Sequence, residues 1–221
     1  MAAKIIAVVN QKGGCGKTTV AIQVCGTLAL QKKEVLLIDA DEQNSAVEWA
    51  SMAPESTPYP ARVFNLAAAG RKIHQEIKKY YYDYDYIFVD CPPAAESPIS
   101  KSILLVSDFA LVPFIPDGLN LSASVRIRDT IQDAQILNPS LRSLLLLNRV
   151  EPKTNLTNEI LELLSEFNMT QSETKLHKRT HYPESFLIGG TVHSLKSKAK
   201  DAIDEIEAFT DELLQFLRNG E

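Results

Sequence analysis

The stretch Val8–Val20, VVNQKGGCGKTTV, puts two lysines, Lys12 and Lys17, into one glycine-rich turn, with Thr18 and Thr19 directly after the second. A turn of this kind between a strand and a helix gathers backbone N–H groups and the positive helix end around one anion. Gly13, Gly14 and Gly16 permit backbone conformations and a close phosphate approach that a Cβ would obstruct. Lys17 then reaches the β- and γ-phosphates of a nucleotide, and the Thr18 hydroxyl ligates Mg²⁺. The strict pattern G-x-x-x-x-G-K-[ST] is not met, because Gln11 holds its first glycine position. One lysine is enough for the phosphates, so Lys12 needs a separate task. Carboxylates follow in two places. VLLIDADEQNS carries Asp39 and Asp41 at a strand end, and YIFVDCPP runs four apolar residues into Asp90.

These side chains must be positioned by strand ends. Apolar runs at Ile5–Val9, Val35–Ile38, Tyr86–Val89, Phe109–Phe114 and Leu144–Leu147 are short and several are continuous, as in strands buried on both faces. Helical patterns separate them over Thr18–Gln31, Ser45–Met52, Ala67–Tyr81, Leu119–Leu137 and Asn158–Phe167. This alternation predicts right-handed βαβ units: a single α/β domain over residues 1–221, its mostly parallel sheet flanked by helices on both faces. The proline-rich Met52–Arg62 reads as a loop between elements.

KGGCGKTT resembles the deviant Walker A motif, KGGxGKT[ST], of the ParA/MinD family of P-loop ATPases. The resemblance is closest to the compact ParA type, similar to ParF-like plasmid partition proteins. It implies ATP and Mg²⁺ as cofactors, with residues 12–19 (Lys12, Gly13, Gly14, Cys15, Gly16, Lys17, Thr18 and Thr19) around the phosphates. It further implies an ATP-dependent homodimer in which Lys12 crosses to the partner's nucleotide, as an arginine finger does. Asp41 takes the role of activating the attacking water, Asp39 lies near the Mg²⁺ water shell, and Asp90 is the Walker B carboxylate behind Thr18. Glu42 replaces a usual proline, which leaves the geometry of this first switch open. Asn148 and Arg149, at the end of LLLLNRV, and Pro183 fall at the family's base-binding positions, although an asparagine there is also a common turn former.

Charge separates the branches of the family. Lys175, Lys178, Arg179, Lys196, Lys198 and Lys200 stand against the single acid Glu184, in a chain of net charge −5. The resemblance makes this cluster the candidate for nonspecific DNA binding, with contacts that weaken as salt rises. A solvated face is the plainer alternative. From Asp201 onward, Ala202, Ile203, Ile206, Phe209, Leu213, Phe216 and Leu217 repeat at helical spacing among predominantly acidic residues. An anionic membrane would repel such a helix, so its stripe is expected to pack on the domain.

The composition, 45% hydrophobic and 23% charged, is that of an ordinary globular domain. No apolar run approaches the length of a membrane span, and the strand-like start predicts neither a signal peptide nor an N-terminal helix-turn-helix. Cys15, Cys25 and Cys91 form no CxxC pair, which disfavours a disulfide scaffold, a zinc ribbon and a shared iron–sulfur cluster. The expected protein is cytoplasmic, and nucleoid-associated in its ATP state. It is a weak Mg²⁺-dependent ATPase stimulated by a small cargo-adaptor or centromere-binding, ParB-like protein. A metabolic P-loop enzyme, such as a small-molecule kinase or a ligase of the dethiobiotin synthetase type, is the alternative.

Overall fold

A computed structural model describes residues 2–116, 121–151 and 169–218. Among these, six parallel strands form one sheet: β1 (Lys4–Val8), β2 (Val35–Asp39), β3 (Arg62–Asn65), β4 (Tyr86–Asp90), β5 (Phe109–Phe114) and β6 (Arg142–Leu147), in the order β3-β2-β4-β1-β5-β6. The chain steps from β1 across β4 to β2, then returns past β1 to β5. In open sheets of this kind, ligands bind outside the carboxyl ends of the strands where the order reverses. Register fixes what meets there: Val8 pairs with Asp90, and Asp90 with Asp39. The glycine-rich turn and two carboxylates thus leave adjacent strands at one level.

Strict alternation along the central strands sends side chains into two cores. Ile6, Val8, Leu37 and Phe88 face one side, under α1 (Lys17–Leu30) and α7 (Lys200–Arg218). Ile5, Ala7, Leu36, Ile38, Ile87 and Val89 face the other, under α3 (Ile73–Lys78), α4 (Pro98–Leu104) and α5 (Leu121–Leu137). On α7, Ala202, Ile206, Phe209, Leu213 and Leu217 are all buried, and the helix lies against α1. The apolar stripe belongs to the core, as its acidic surroundings predicted. No helix among the described residues is long and apolar enough to cross a membrane.

Three local differences from the sequence reading have physical causes. The proline-rich loop ends at Arg62, where a four-residue edge strand, β3, begins; it is too short and too exposed to give a periodic signal. The helix expected over Ala67–Tyr81 divides into a 3-10 turn (Ala67–Lys72) and α3, because Gly70 breaks it at φ 52°, ψ −131°. α4 begins at Pro98, with the Ser97 side chain accepting from the Ser100 N–H. The expected helix Asn158–Phe167 lies outside the described residues, as do Leu119 and Asn120 at the start of the pattern that gives α5.

Candidate nucleotide site

The turn after β1 is built for an anion. Gly14 (φ 75°) and Gly16 (φ 93°) hold left-handed conformations, and α1 starts at Lys17 with its first N–H groups facing the loop. Gly16 has a second reason to be glycine: a Cβ there would lie 2.2 Å from Asn148 Nδ2. Lys17 is buried, and its ammonium curls back to donate to the Lys12 carbonyl at 3.4 Å. Lys12, half-buried, does not line the cleft of its own chain.

Thr18 Oγ1 donates to Asp90 Oδ2 at 2.6 Å, while Asp90 Oδ1 is buried with no hydrogen-bond partner. Burial pushes the Asp90 carboxyl up to about 7, against the opposing pull of the Thr18 hydrogen bond. An orphaned carboxylate oxygen beside a threonine hydroxyl is a fit for the hydrated Mg²⁺ that accompanies a nucleotide. Asp39 is used differently. Its Oδ2 accepts from the N–H groups of Ala46 (2.8 Å) and Val47 (3.2 Å), and its Oδ1 from Asp41 N–H (3.1 Å). It therefore caps α2 (Ser45–Ser51) from a neighbouring strand and holds the Asp41 backbone; burial raises its carboxyl even so. Asp41 itself reaches the cleft, with Oδ1 accepting from Gln43 N–H at 3.1 Å. The turn closes without a proline, Asn44 N–H donating to Asp41 O at 3.1 Å, so Glu42 is accommodated.

Asn148 and Arg149 grip the loop from the end of β6. Asn148 Nδ2 donates to Cys15 O at 2.8 Å and Arg149 Nη1 to Gly14 O at 3.2 Å. The Asn148 amide thus supports the phosphate loop while the side chain also lines the cleft. Cys15, Cys25 and Cys91 are buried free thiols; burial pushes Cys91 up strongly.

Gly13, Gly14, Gly16, Lys17, Thr18, Asp41, Asn148 and Arg149 border one cleft of about 1230 Å³, whereas Lys12, Cys15, Asp39 and Asp90 do not line it. Thr19 and Pro183 also line it, together with an apolar wall the sequence reading missed: Trp49, Tyr182, Phe186 and Leu187. Trp49 meets Phe186 edge-on at 5.2 Å and donates from Nε1 to Gly190 O at 2.9 Å. That wall joins α2 to α6 (His181–Leu187), segments more than a hundred residues apart, and only the single tryptophan offered a local signal. The residues of the basic cluster differ in their surroundings. Lys178 and Arg179 border the cleft, Lys178 pairing with Glu151 (2.6 Å) and Arg179 with Asp201 (3.0 Å) and Glu205 (2.6 Å). Burial pushes the Glu205 carboxyl up, but the Arg179 and His177 hydrogen bonds outweigh it and hold it below its usual range. Lys175 is half-buried, whereas Lys196, Lys198 and Lys200 are exposed.

Comparisons with known proteins agree with this geometry. The maintenance of carboxysome distribution protein A of Halothiobacillus neapolitanus is 30% identical over 209 residues, covering 95% of each chain. Among solved structures, a Cyanothece McdA variant in complex with ATP superposes with a TM-score of 0.79 at 17% identity, covering 96% of both chains. Cobyrinic acid a,c-diamide synthase from Mycobacterium smegmatis with bound ADP and magnesium does so at 0.76 and 21% identity, covering 99% of this chain and 97% of that one. The profile of the CobQ/CobB/MinD/ParA nucleotide binding domain matches residues 6–192, and the chain belongs to that ParA/MinD family of nucleotide-binding ATPases.

Proposed function

We propose that the chain, one P-loop domain, is a cytoplasmic switch that dimerises on Mg²⁺–ATP and binds DNA without sequence preference in that form. It hydrolyses ATP when a cargo-bound partner stimulates it, and so positions or segregates cargo. The observation that carries this reading is the division of labour between two lysines in one turn. Lys17 is folded into its own cleft, while Lys12 stands outside that cleft on the same loop. The first serves the nucleotide of its own chain and the second that of a partner copy. The carboxysome-distribution relative makes an intracellular assembly as reasonable a cargo as a plasmid.

In the nucleotide-bound chain, Thr18 and Asp90 would hold Mg²⁺ and its waters, and the ion would supply positive charge against the negative charge of phosphoryl transfer. The loop N–H groups and Lys17 position the phosphates. Asp41, fixed through its backbone by Asp39, orients the attacking water. Lys12 of the second copy brings positive charge to the transferring phosphoryl group, and the Trp49–Phe186 wall with Pro183 gives the base an apolar surface. Unstimulated turnover is slow, since a switch that hydrolyses at once stores no state.

The test is DNA binding by the purified chain without nucleotide, with ADP and with a slowly hydrolysed ATP analogue, with mass followed by light scattering. Dimerisation and salt-sensitive, sequence-blind binding confined to the ATP-analogue state, both lost in Lys12→Ala, are expected. ATP binding by a chain that ignores DNA in every state overturns the DNA reading and favours a metabolic P-loop enzyme.

A further inference from the structure

Gln23, Gly26 and Thr27 lie within one turn of α1 and together hold residues 185–193. Gln23, fully buried, donates from Nε2 to Ser185 Oγ at 2.9 Å and accepts the Val192 N–H at Oε1, also at 2.9 Å. Gly26 lies so close to Thr191 that a Cβ would meet its Cγ2 at 2.2 Å, and Thr27 Oγ1 is 3.0 Å from His193 Nε2. Ser185 and Thr191 are buried with them. A buried polar network satisfied in this way favours one geometry. The turn Gly189–Gly190 is therefore fixed to α1, the helix that starts at the phosphate loop.

The same turn grips α2. Trp49, itself buried, donates from Nε1 to Gly190 O at 2.9 Å. Gly189, at φ 60°, presses on the end of the helix, where a Cβ would stand 2.0 Å from Ala53 N. At its start α2 is bonded to Asp39, which also accepts the Asp41 N–H. The helix is thus a strut pinned at both ends, by Gly189–Gly190 and by Asp39. We propose that Trp49 is a positioning residue for ATP hydrolysis: its hydrogen bond to Gly190 sets α2, and through α2 Asp41, relative to Lys17 and Thr18 at the start of α1. This rests on the reading above, in which Asp41 orients the attacking water, and adds the joint that places it. Nucleotide affinity depends on the loop, Lys17 and the wall of the cleft. The rate depends in addition on where Asp41 stands, and a misplacement of about 1 Å can cost about a hundredfold.

The assay compares the full chain as wild type, Trp49→Phe, Gly189→Ala and Leu217→Ala for Mg²⁺–ATP turnover, affinity for a fluorescent ATP analogue and thermal melting. Trp49→Phe keeps a ring in the cleft wall but offers no N–H to Gly190 O. Gly189→Ala disturbs the same joint from a residue that does not line the cleft. Both are expected to lower kcat by about tenfold or more, with KM and analogue affinity within about twofold of the wild type. Leu217→Ala, a deletion in the core under α7, should melt lower with kcat unchanged. A Trp49→Phe chain with the wild-type kcat overturns the inference and leaves the ATPase reading standing. So does a loss of analogue affinity that matches the loss of rate, since Trp49 would then only line the base site. An equal loss of kcat in Leu217→Ala overturns it too, because lowered stability would then account for the effect. A wild type that binds the analogue yet hydrolyses no ATP overturns the underlying reading, and the inference with it.

Discussion

Asp90 is where a single residue sets opposing demands on stability and function. Its carboxyl is buried at a strand end and pushed up to about 7. An ordinary carboxyl in the unfolded chain titrates near 4. Folding therefore takes up a proton between those values, and this contribution to stability is present at low pH and lost as pH rises through about 7. Above that, the ionised group costs up to about 4 kcal/mol. Asp90→Asn keeps an acceptor for Thr18 and removes the charge. Urea melts of the nucleotide-free protein at pH 8 should show it to be the more stable chain, with the advantage shrinking toward pH 5. Its nucleotide affinity should lose its dependence on Mg²⁺. At this scale the sequence was highly legible. Lys17, Thr18 and Asp41 line one cleft and Asp90 bonds Thr18 from behind it, because motif spacing dictates local geometry. Asn148 and Asp39 were only half legible, since what they bond, a loop carbonyl 133 positions away and the N-terminus of α2, depends on packing.

Between residues and the whole lie the elements, and two of them test the account. α2 carries Trp49 into the cleft wall, and its N-terminus is held by Asp39 rather than by its own cap, Asn44, whose side chain makes no capping bond. Asp39→Ala removes the acceptor of three backbone N–H groups and should cost about 2–3 kcal/mol. It should also depress ATP turnover by releasing Asp41, a combination that denaturation curves and steady-state rates resolve. α7 tests the opposite kind of claim. Its apolar stripe was legible because five buried positions recur every three or four residues. Phe209→Ala should cost about 3–5 kcal/mol, as a large core deletion does, with no effect on vesicle binding. Unaltered melting would mean that the stripe does not face the core. The elements that were not legible share a cause. β3 and α4 are short, and Gly70 interrupts a helix pattern that composition alone continued, so local signals were weak where tertiary contacts decide.

Across the whole molecule, the cleft belongs to one chain, and the lysine proposed to complete a partner's site stands outside the cleft of its own chain. This makes the assembly testable without a structure of it. If Lys12 acts across a two-fold dimer, each site combines Lys12 from one copy with Lys17, Thr18 and Asp41 from the other. Lys12→Ala and Asp41→Ala should each be inactive alone. In a mixed dimer, one site joins the intact Lys12 of the Asp41→Ala chain to the intact Asp41 of the Lys12→Ala chain; the other site lacks both. Equal mixing makes half the dimers mixed, each with one of two sites competent, so partner-stimulated turnover should recover to about a quarter of the wild-type rate. If Lys12 serves its own nucleotide, every site in the mixture lacks one group, and no activity returns. Turnover measured on the mixture against each variant alone decides whether the second lysine belongs to its own chain or to its neighbour's.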